Sequence, residues 1–273
     1  MDLEINGKAA YAYTGGKAFD NSLPTVVLIH GGAHDHSVWA LQSRWLAHHG
    51  FGVLAVDLPG HGRSDGPALG RIEDIADWIV SLLDAAAVMK AALAGHSMGS
   101  LVALDCAARH PSRAASLALI GTAVPMKVSP ELLASTMTDE AGAQAMINVW
   151  SHAALSHYPG NPGPGASVLG GNLRLLQRQK PGVLHTDFAA CNNYAAGMER
   201  AAQILCPTLV VLAGADLMTS PRSGRALAAA INGSKTVTVP GSGHALMAEK
   251  PDSVLDALAE FLRPLTAPAA SPA

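Results

Sequence analysis

Charge is scarce in this chain. Asp, Glu, Lys and Arg make up 14% of its 273 residues, against roughly 25% in an average soluble protein. The net charge is −3 and Lys and Arg do not cluster. This excludes the phosphate-neutralising surface that nucleic acid requires, so no nucleic-acid partner is expected. Cysteine is scarce as well. Three cysteines (Cys106, Cys191, Cys206) give no even-numbered disulfide framework and read as packing residues in a reducing, cytoplasmic compartment. No window has the length and purity of a membrane span. The start, MDLEINGKAA, lacks both the basic residues and the apolar core of a secretory signal, so no membrane association is expected. No internal repeat is present.

Apolar residues, by contrast, are abundant at 49%, which suits a sheet buried on both faces with continuously apolar strands. Short runs bounded by Gly or Pro read as such strands: 25–30 (TVVLIH), 52–57 (GVLAVD), 91–95, 116–121, 208–214 and 235–239. Helical patterns fall between them at 72–86, 98–109, 222–231 and 251–262, after a polar opening at 2–14 that suits a hairpin. Strand–helix alternation predicts an α/β protein with a mostly parallel, doubly wound sheet and helices on both faces. From 124 to 204 the rhythm breaks, with helix-like pieces at 130–149, 172–179 and 186–200 around the loop YPGNPGPG at 158–165. The expected organisation is a first core part at 1–123, a helical lid at 124–204, a second core part at 205–264 and a disordered tail at 265–273. The alternative for the insertion is a helical decoration that touches no site.

Two pentapeptides fit Gly-x-Ser-x-Gly: GHSMG at 95–99 and GRSDG at 62–66. A nucleophile elbow needs a strand running directly into a sharp turn and a helix beginning at once beyond it. Ser97 has an apolar strand before it and an amphipathic run after it, stopped by Pro111. Ser64 follows Pro59 and Gly60 and is followed by Gly66-Pro67, so it reads as a turn residue. Ser97 is the candidate nucleophile.

A serine hydroxyl needs a base, and the base a carboxylate that fixes its tautomer. Of twelve histidines, His244 lies in VPGSGHALMAEKP, a glycine-bounded loop between the last strand and the last helix. Loops leaving the carboxyl ends of parallel strands share one crevice, which Ser97 also faces. Asp216 follows the strand TLVVLAG, whereas the segment after SLALIG offers only Thr122 and Ala123 and no carboxylate. An oxyanion hole further requires two backbone N–H donors. Met98 supplies one from a helix start; the other belongs to the loop His30-Gly31-Gly32-Ala33, from Gly32 or alternatively Ala33.

These motifs resemble the α/β-hydrolase fold family, in the family's order: HGG at 30–32, DLPGHGRS at 57–64, GHSMG at 95–99, GAD at 214–216 and GSGH at 241–244. The resemblance spans nearly everything except the lid. It implies Ser97, Asp216 and His244 as nucleophile, acid and base, and Gly32 and Met98 as oxyanion donors. Epoxide hydrolases and haloalkane dehalogenases of similar architecture use aspartate at the nucleophile position, so serine argues against both.

Other polar residues have weaker claims. His34-Asp35-His36 has no partner cluster of metal-ligand type, so no metal and no cofactor are expected there or elsewhere. With Ala33, His34 suits the lip of a substrate pocket, which Trp150, Tyr158, Asn172 and Tyr194 of the lid could also line; Trp39 reads as packing and His96 as a variable motif position. The expected activity is hydrolysis of small, largely neutral carboxylic esters through an acyl-enzyme, with a small-molecule ester as the substrate partner. The same triad serves carbon–carbon bond hydrolases, perhydrolases and acyltransferases, and a small-molecule receptor on this fold is a third possibility. Neither motif nor composition specifies an oligomeric state.

Overall fold

Alternate residues of the central strands face opposite layers. Val27 and Ile29 join one apolar core, Val26 and Leu28 the other, which is why the run VVLI at 26–29 carries no polar position. The structure is a computed structural model and describes residues 1–157 and 167–266. In chain order its elements begin with β1 (Asp2–Ile5), β2 (Lys8–Tyr13), β3 (Thr25–Ile29), α1 (Ala40–His48), β4 (Gly52–Val56), α2 (Ile72–Ala85), β5 (Ala91–His96), α3 (Met98–Arg109) and β6 (Ala114–Ile120). An insertion follows, with α4 (Pro130–Thr138), α5 (Glu140–Trp150), α6 (Val168–Gln177), α7 (Val183–Asn193) and α8 (Gly197–Ala202). The chain closes with β7 (Thr208–Ala213), α9 (Pro221–Ala230), β8 (Lys235–Val239), α10 (Leu246–Glu249) and α11 (Pro251–Thr266).

The strands form one eight-stranded sheet in the order β1-β2-β4-β3-β5-β6-β7-β8. β1 and β2 are an antiparallel hairpin whose turn residues Asn6 and Gly7 both have positive φ (51° and 73°), as a tight hairpin requires. β2 pairs antiparallel with β4, and every later pairing is parallel. The chain passes outward from β3 to β4 and then returns to place β5 on the other side of β3. The loops leaving β3 and β5 therefore diverge and open a crevice at the strands' carboxyl ends. On one side Leu101 and Leu104 of α3 and Ile75 and Ile79 of α2 fill the core; on the other, Leu46 of α1 and Leu258 and Leu262 of α11 do so.

The expected fold class is therefore observed, with local differences. The segment 130–149 is two helices, because Asp139 leaves the helical conformation (ψ 70°) and its side chain caps α5 by accepting from Gly142 N–H at 3.0 Å. The piece expected at 172–179 is α6, which starts earlier at Val168, and 186–200 divides into α7 and α8. α8 packs on α3 and α9 and sends Ala201 into the sheet's core. The other four insertion helices contribute to a separate small cluster of Leu132, Ala143, Ile147, Leu176 and Leu184, which also buries Ala33 from the loop after β3. Helix α1 had no apolar stripe to reveal it, since its buried face includes Gln42 and Ser43 while Leu41 is exposed. Leu265 and Thr266, expected in the tail, belong to α11; the rest of that tail and the loop 158–165 lie outside the described residues. No described helix is long and apolar enough to cross a membrane.

Candidate active site

Ser97 stands where β5 ends and α3 begins, with φ 52° and ψ −121°. That left-handed backbone is costly for a serine and persists only where the surroundings impose it. They do. Ser97 N–H donates to the Ile120 carbonyl (3.0 Å), and Ser100 N–H returns to the Ser97 carbonyl (2.8 Å). A Cβ on Gly95 would fall 2.0 Å from the Gly99 carbonyl oxygen, and one on Gly99 2.4 Å from that of Ile29. Helix, turn and neighbouring strand thus touch backbone to backbone, and only glycine allows it. Ser64 has a different place: buried, it donates to the Asp57 carbonyl (2.6 Å) and accepts from Tyr11 N–H (2.9 Å), fastening its loop to β2.

His244 and Asp216 are brought together, with His244 Nδ1 2.8 Å from Asp216 Oδ2. Asp216 Oδ1 accepts from the N–H groups of Met218 and Thr219, each at 2.8 Å, and Oδ2 also accepts from the Thr219 hydroxyl at 2.7 Å. Burial alone would raise the Asp216 pKa, but the charge and hydrogen bond of His244 and the Thr219 donors outweigh it and hold the carboxyl at about 2. Two further residues brace His244. His96, the variable position of the elbow motif, donates from Nε2 to the His244 carbonyl at 2.9 Å; burial and then the neighbouring His244 hold its pKa well below the usual histidine range. Glu249 accepts from Gly243 N–H (2.7 Å) and, with its other oxygen, from Ala153 N–H (2.8 Å), joining the histidine loop to the insertion.

The loop after β3 brings Gly31 and Gly32 beside the elbow. A Cβ on Gly31 would lie 3.1 Å from Ser97 Cβ. The Gly31 carbonyl accepts from His30 Nδ1 at 2.8 Å and the Gly32 carbonyl from His34 Nδ1 at 2.7 Å. The Ala33 N–H is taken: it donates to Asp187 Oδ2 at 2.7 Å. Gly32 N–H and Met98 N–H have no hydrogen-bond partner among the described residues. Between the two residues considered for the loop donor, Gly32 is therefore the one left free.

A cavity of about 200 Å³ is lined by Ser97, His244, Gly32 and Met98 together with Trp150 and Phe188 of the insertion. A second, of about 330 Å³, also reaches His244 and is lined by His34, His96, Gln42 and Asn172. The insertion is thus in contact with the site. His34 Nε2 pairs with Asn172 Oδ1 at 2.8 Å, and burial lowers its pKa against the raising effect of the Asn172 and Gly32 hydrogen bonds. Of the expected pocket residues, His34, Asn172 and Trp150 line cavities, while Ala33 is fully buried against the apolar cluster of the insertion. Tyr194 is not brought to the site: only 3% exposed, it donates to Asp105 of α3 at 3.0 Å. Its aromatic ring fills the core between α3 and the insertion, a role the sequence pattern does not distinguish from pocket lining. Tyr158 lies outside the described residues.

Asp35 and His36 do find a third potential metal ligand in Asp57, one donor atom of each lying within 4.8 Å of the others. Protein donors already engage these carboxylates. Asp57 accepts from His36 N–H and Nδ1 (2.8 and 2.7 Å) and from Arg63 N–H (2.9 Å), and Asp35 pairs with Arg178 of the insertion. Trp39 is fully buried next to this loop, as expected of a packing residue. The three cysteines are free, and burial pushes the Cys106 thiol up to about 12.

A family model described as alpha/beta hydrolase fold matches residues 24–251. The chain belongs to the alpha/beta hydrolase fold family. Among curated α/β-hydrolase relatives, it is 31% identical over 252 residues to a pimeloyl-acyl-carrier-protein methyl ester esterase of Chromobacterium violaceum, covering 88% of this chain and 94% of that one. It is 30% identical over 236 residues to a putative carbamate hydrolase, RutD, of Klebsiella pneumoniae, covering 81% and 85% respectively. Among solved structures of this family it resembles an enol-lactonase from Burkholderia xenovorans, with a TM-score of 0.85, 27% identity, and 96% of this chain and all of that one covered.

Proposed function

We propose that this α/β-hydrolase cleaves small, largely neutral carboxylic esters through an acyl-enzyme, with Ser97 as nucleophile, His244 as base and Asp216 as its orienting acid. The observation that carries this reading is one cavity onto which Ser97, His244, Gly32 and Met98 all open, with His244 fixed by Asp216 at 2.8 Å. With Nδ1–H committed to Asp216, the imidazole presents Nε2 as the basic nitrogen. Ser97 Oγ adds to the ester carbonyl carbon as its proton passes to His244 Nε2. The carbonyl π electrons move to oxygen, and the oxyanion accepts from Gly32 and Met98 N–H. The tetrahedral adduct collapses, expelling the alcohol, which leaves with the proton held on His244. Water then repeats the sequence on the acyl-serine, releasing the carboxylic acid.

The insertion serves as the lid, with Trp150 and Phe188 covering the cavity. The apolar lining and the modest volume favour a neutral acyl group over a polyanion. Relatives are named for methyl ester, carbamate and enol-lactone substrates, each of which carries an acyl carbonyl, and this supports the same assignment. Three free cysteines, two of them buried, support a cytoplasmic protein.

The test is turnover of p-nitrophenyl acetate and butyrate by the wild type and Ser97→Ala. Turnover in the wild type and its loss in the variant are expected. Undiminished turnover by Ser97→Ala contradicts the assignment. Ser97 that reacts with a fluorophosphonate but does not turn over simple esters redirects the reading to carbon–carbon hydrolysis or acyl transfer.

A further inference from the structure

The two oxyanion amides are held by different means. Met98 N–H is fixed by the start of α3, whereas Gly32 lies in a loop with no regular structure. The next residue, Ala33, has φ 53°, a conformation that a residue with a side chain keeps only under outside constraint. The constraint is Asp187 of α7. Its Oδ2 accepts from Ala33 N–H at 2.7 Å and from His61 Nε2 at 2.8 Å, and it is fully buried.

His61 belongs to the loop after β4, and its Nδ1 lies 3.0 Å from the Pro59 carbonyl oxygen, which can only accept. Donating to both acceptors at once requires the ring to hold both protons. Burial opposes that charge, but the adjacent Asp187 carboxylate overcomes it and raises the His61 pKa. A Cβ placed on Gly32 would lie 3.3 Å from Asp187 Cβ, so the aspartate stands directly against the donor residue. Phe188, its neighbour on α7, lines the cavity shared by Gly32 and Ser97.

We infer that Asp187, paired with His61, is a positioning residue for the oxyanion hole: by taking the Ala33 N–H it fixes the Gly32–Ala33 peptide and leaves Gly32 N–H as the donor beside Ser97. The hole then depends on α7 of the insertion being seated, because the core alone supplies no acceptor for Ala33. Without Asp187 the left-handed Ala33 relaxes, the peptide before it rotates, and Gly32 moves with it. The inference rests on the assignment of Ser97, Gly32 and Met98 given above.

The test compares wild type, Asp187→Ala, Asp187→Asn and the double variant Asp187→Leu/His61→Phe on p-nitrophenyl butyrate. Active sites are counted by exhaustive fluorophosphonate labelling, and affinity is measured for a trifluoromethyl ketone, whose serine adduct places an oxyanion in the hole. Asp187→Ala is expected to lose kcat per site by up to the roughly 10²–10³-fold of a missing oxyanion donor. KM should change little, and ketone affinity should fall in parallel. Asn keeps an acceptor oxygen for Ala33 and should restore most of kcat. The double variant replaces a buried ion pair by apolar residues, a change folds commonly tolerate, and should lose kcat as the alanine does. A merely structural role would reduce the number of labelled sites and leave kcat per site and ketone affinity alone. Wild-type kcat per site and ketone affinity in Asp187→Ala or the double variant overturn the inference, as does an Asn variant as poor as the alanine. Turnover surviving in Ser97→Ala would instead break the assignment on which it rests.

Discussion

The proposed nucleophile elbow and the proposed oxyanion loop lie side by side and are built in opposite ways. The elbow is backbone against backbone: Gly95 meets Gly99, Gly99 meets the end of β3, and the strain at Ser97 is contained by hydrogen bonds to neighbouring main chain. The loop at 31–35 is held mainly by side chains, three of them from the insertion: Asp187 on Ala33, Asn172 on His34 and Arg178 on Asp35. The first arrangement is rigid wherever the sheet is folded. The second is rigid only while the insertion is docked. One half of the candidate site is therefore a property of the core and the other a property of the assembly of core and insertion.

Substitutions can break this contrast or sharpen it. Ser97→Ala should have the largest effect, a loss of kcat of roughly 10⁶-fold with the fold intact, checked by steady-state turnover and thermal unfolding. Next is His61→Gln, which removes one partner of a buried ion pair, a change that costs about 3–5 kcal/mol. The His61 pKa is raised in the folded protein, so its contribution is fully present below the unfolded value of about 6.5 and is lost as pH rises through the folded value. Asp187, Asp57 and the His30 ring are the titratable groups acting on it. Urea midpoints of wild type and variant should therefore differ most near pH 6 and converge at alkaline pH; a gap that widens with pH contradicts the pairing.

Smaller effects test the supports of His244 and the placement of Tyr194. Thr219→Val removes one of the donors on Asp216. A hydrogen bond to a charged group contributes about 1.5–3 kcal/mol, so kcat should fall by roughly 10- to 10²-fold with KM nearly unchanged. Tyr194→Phe removes a hydroxyl from Asp105 at the back of α3. It should lower stability by about 1–3 kcal/mol and leave KM for p-nitrophenyl butyrate unchanged; a raised KM would return Tyr194 to the pocket.

The same contrast explains what the amino-acid sequence reveals. The residues proposed as nucleophile, acid and base are legible because each is tied to a strand end: apolar runs mark β5 and β7, a β-branched run marks β8, and Ser97, Asp216 and His244 follow within a few residues. Gly32 is legible as one of two options for the same reason. Asp187 and Arg178 are not, since an Asp in the middle of a helical segment carries no local mark of the loop it will meet 154 residues earlier in the chain; Asn172 is legible as a pocket residue but not as the partner of His34. Helix α1 escapes because polar Gln42 and Ser43 occupy its buried face. Thr219 had a local signal, lying one turn beyond Asp216 where an aspartate commonly collects backbone donors. Glu249 had none, because its partners Gly243 and Ala153 come together only when the insertion returns to the histidine loop.

The most direct test of the central claim is to label the wild-type protein with a fluorophosphonate and locate the adduct by mass spectrometry of its peptides. One adduct per chain on the peptide carrying Ser97, absent from Ser97→Ala along with ester turnover, is the expected result. An adduct on Ser64 or elsewhere, with Ser97→Ala still turning over, would contradict it.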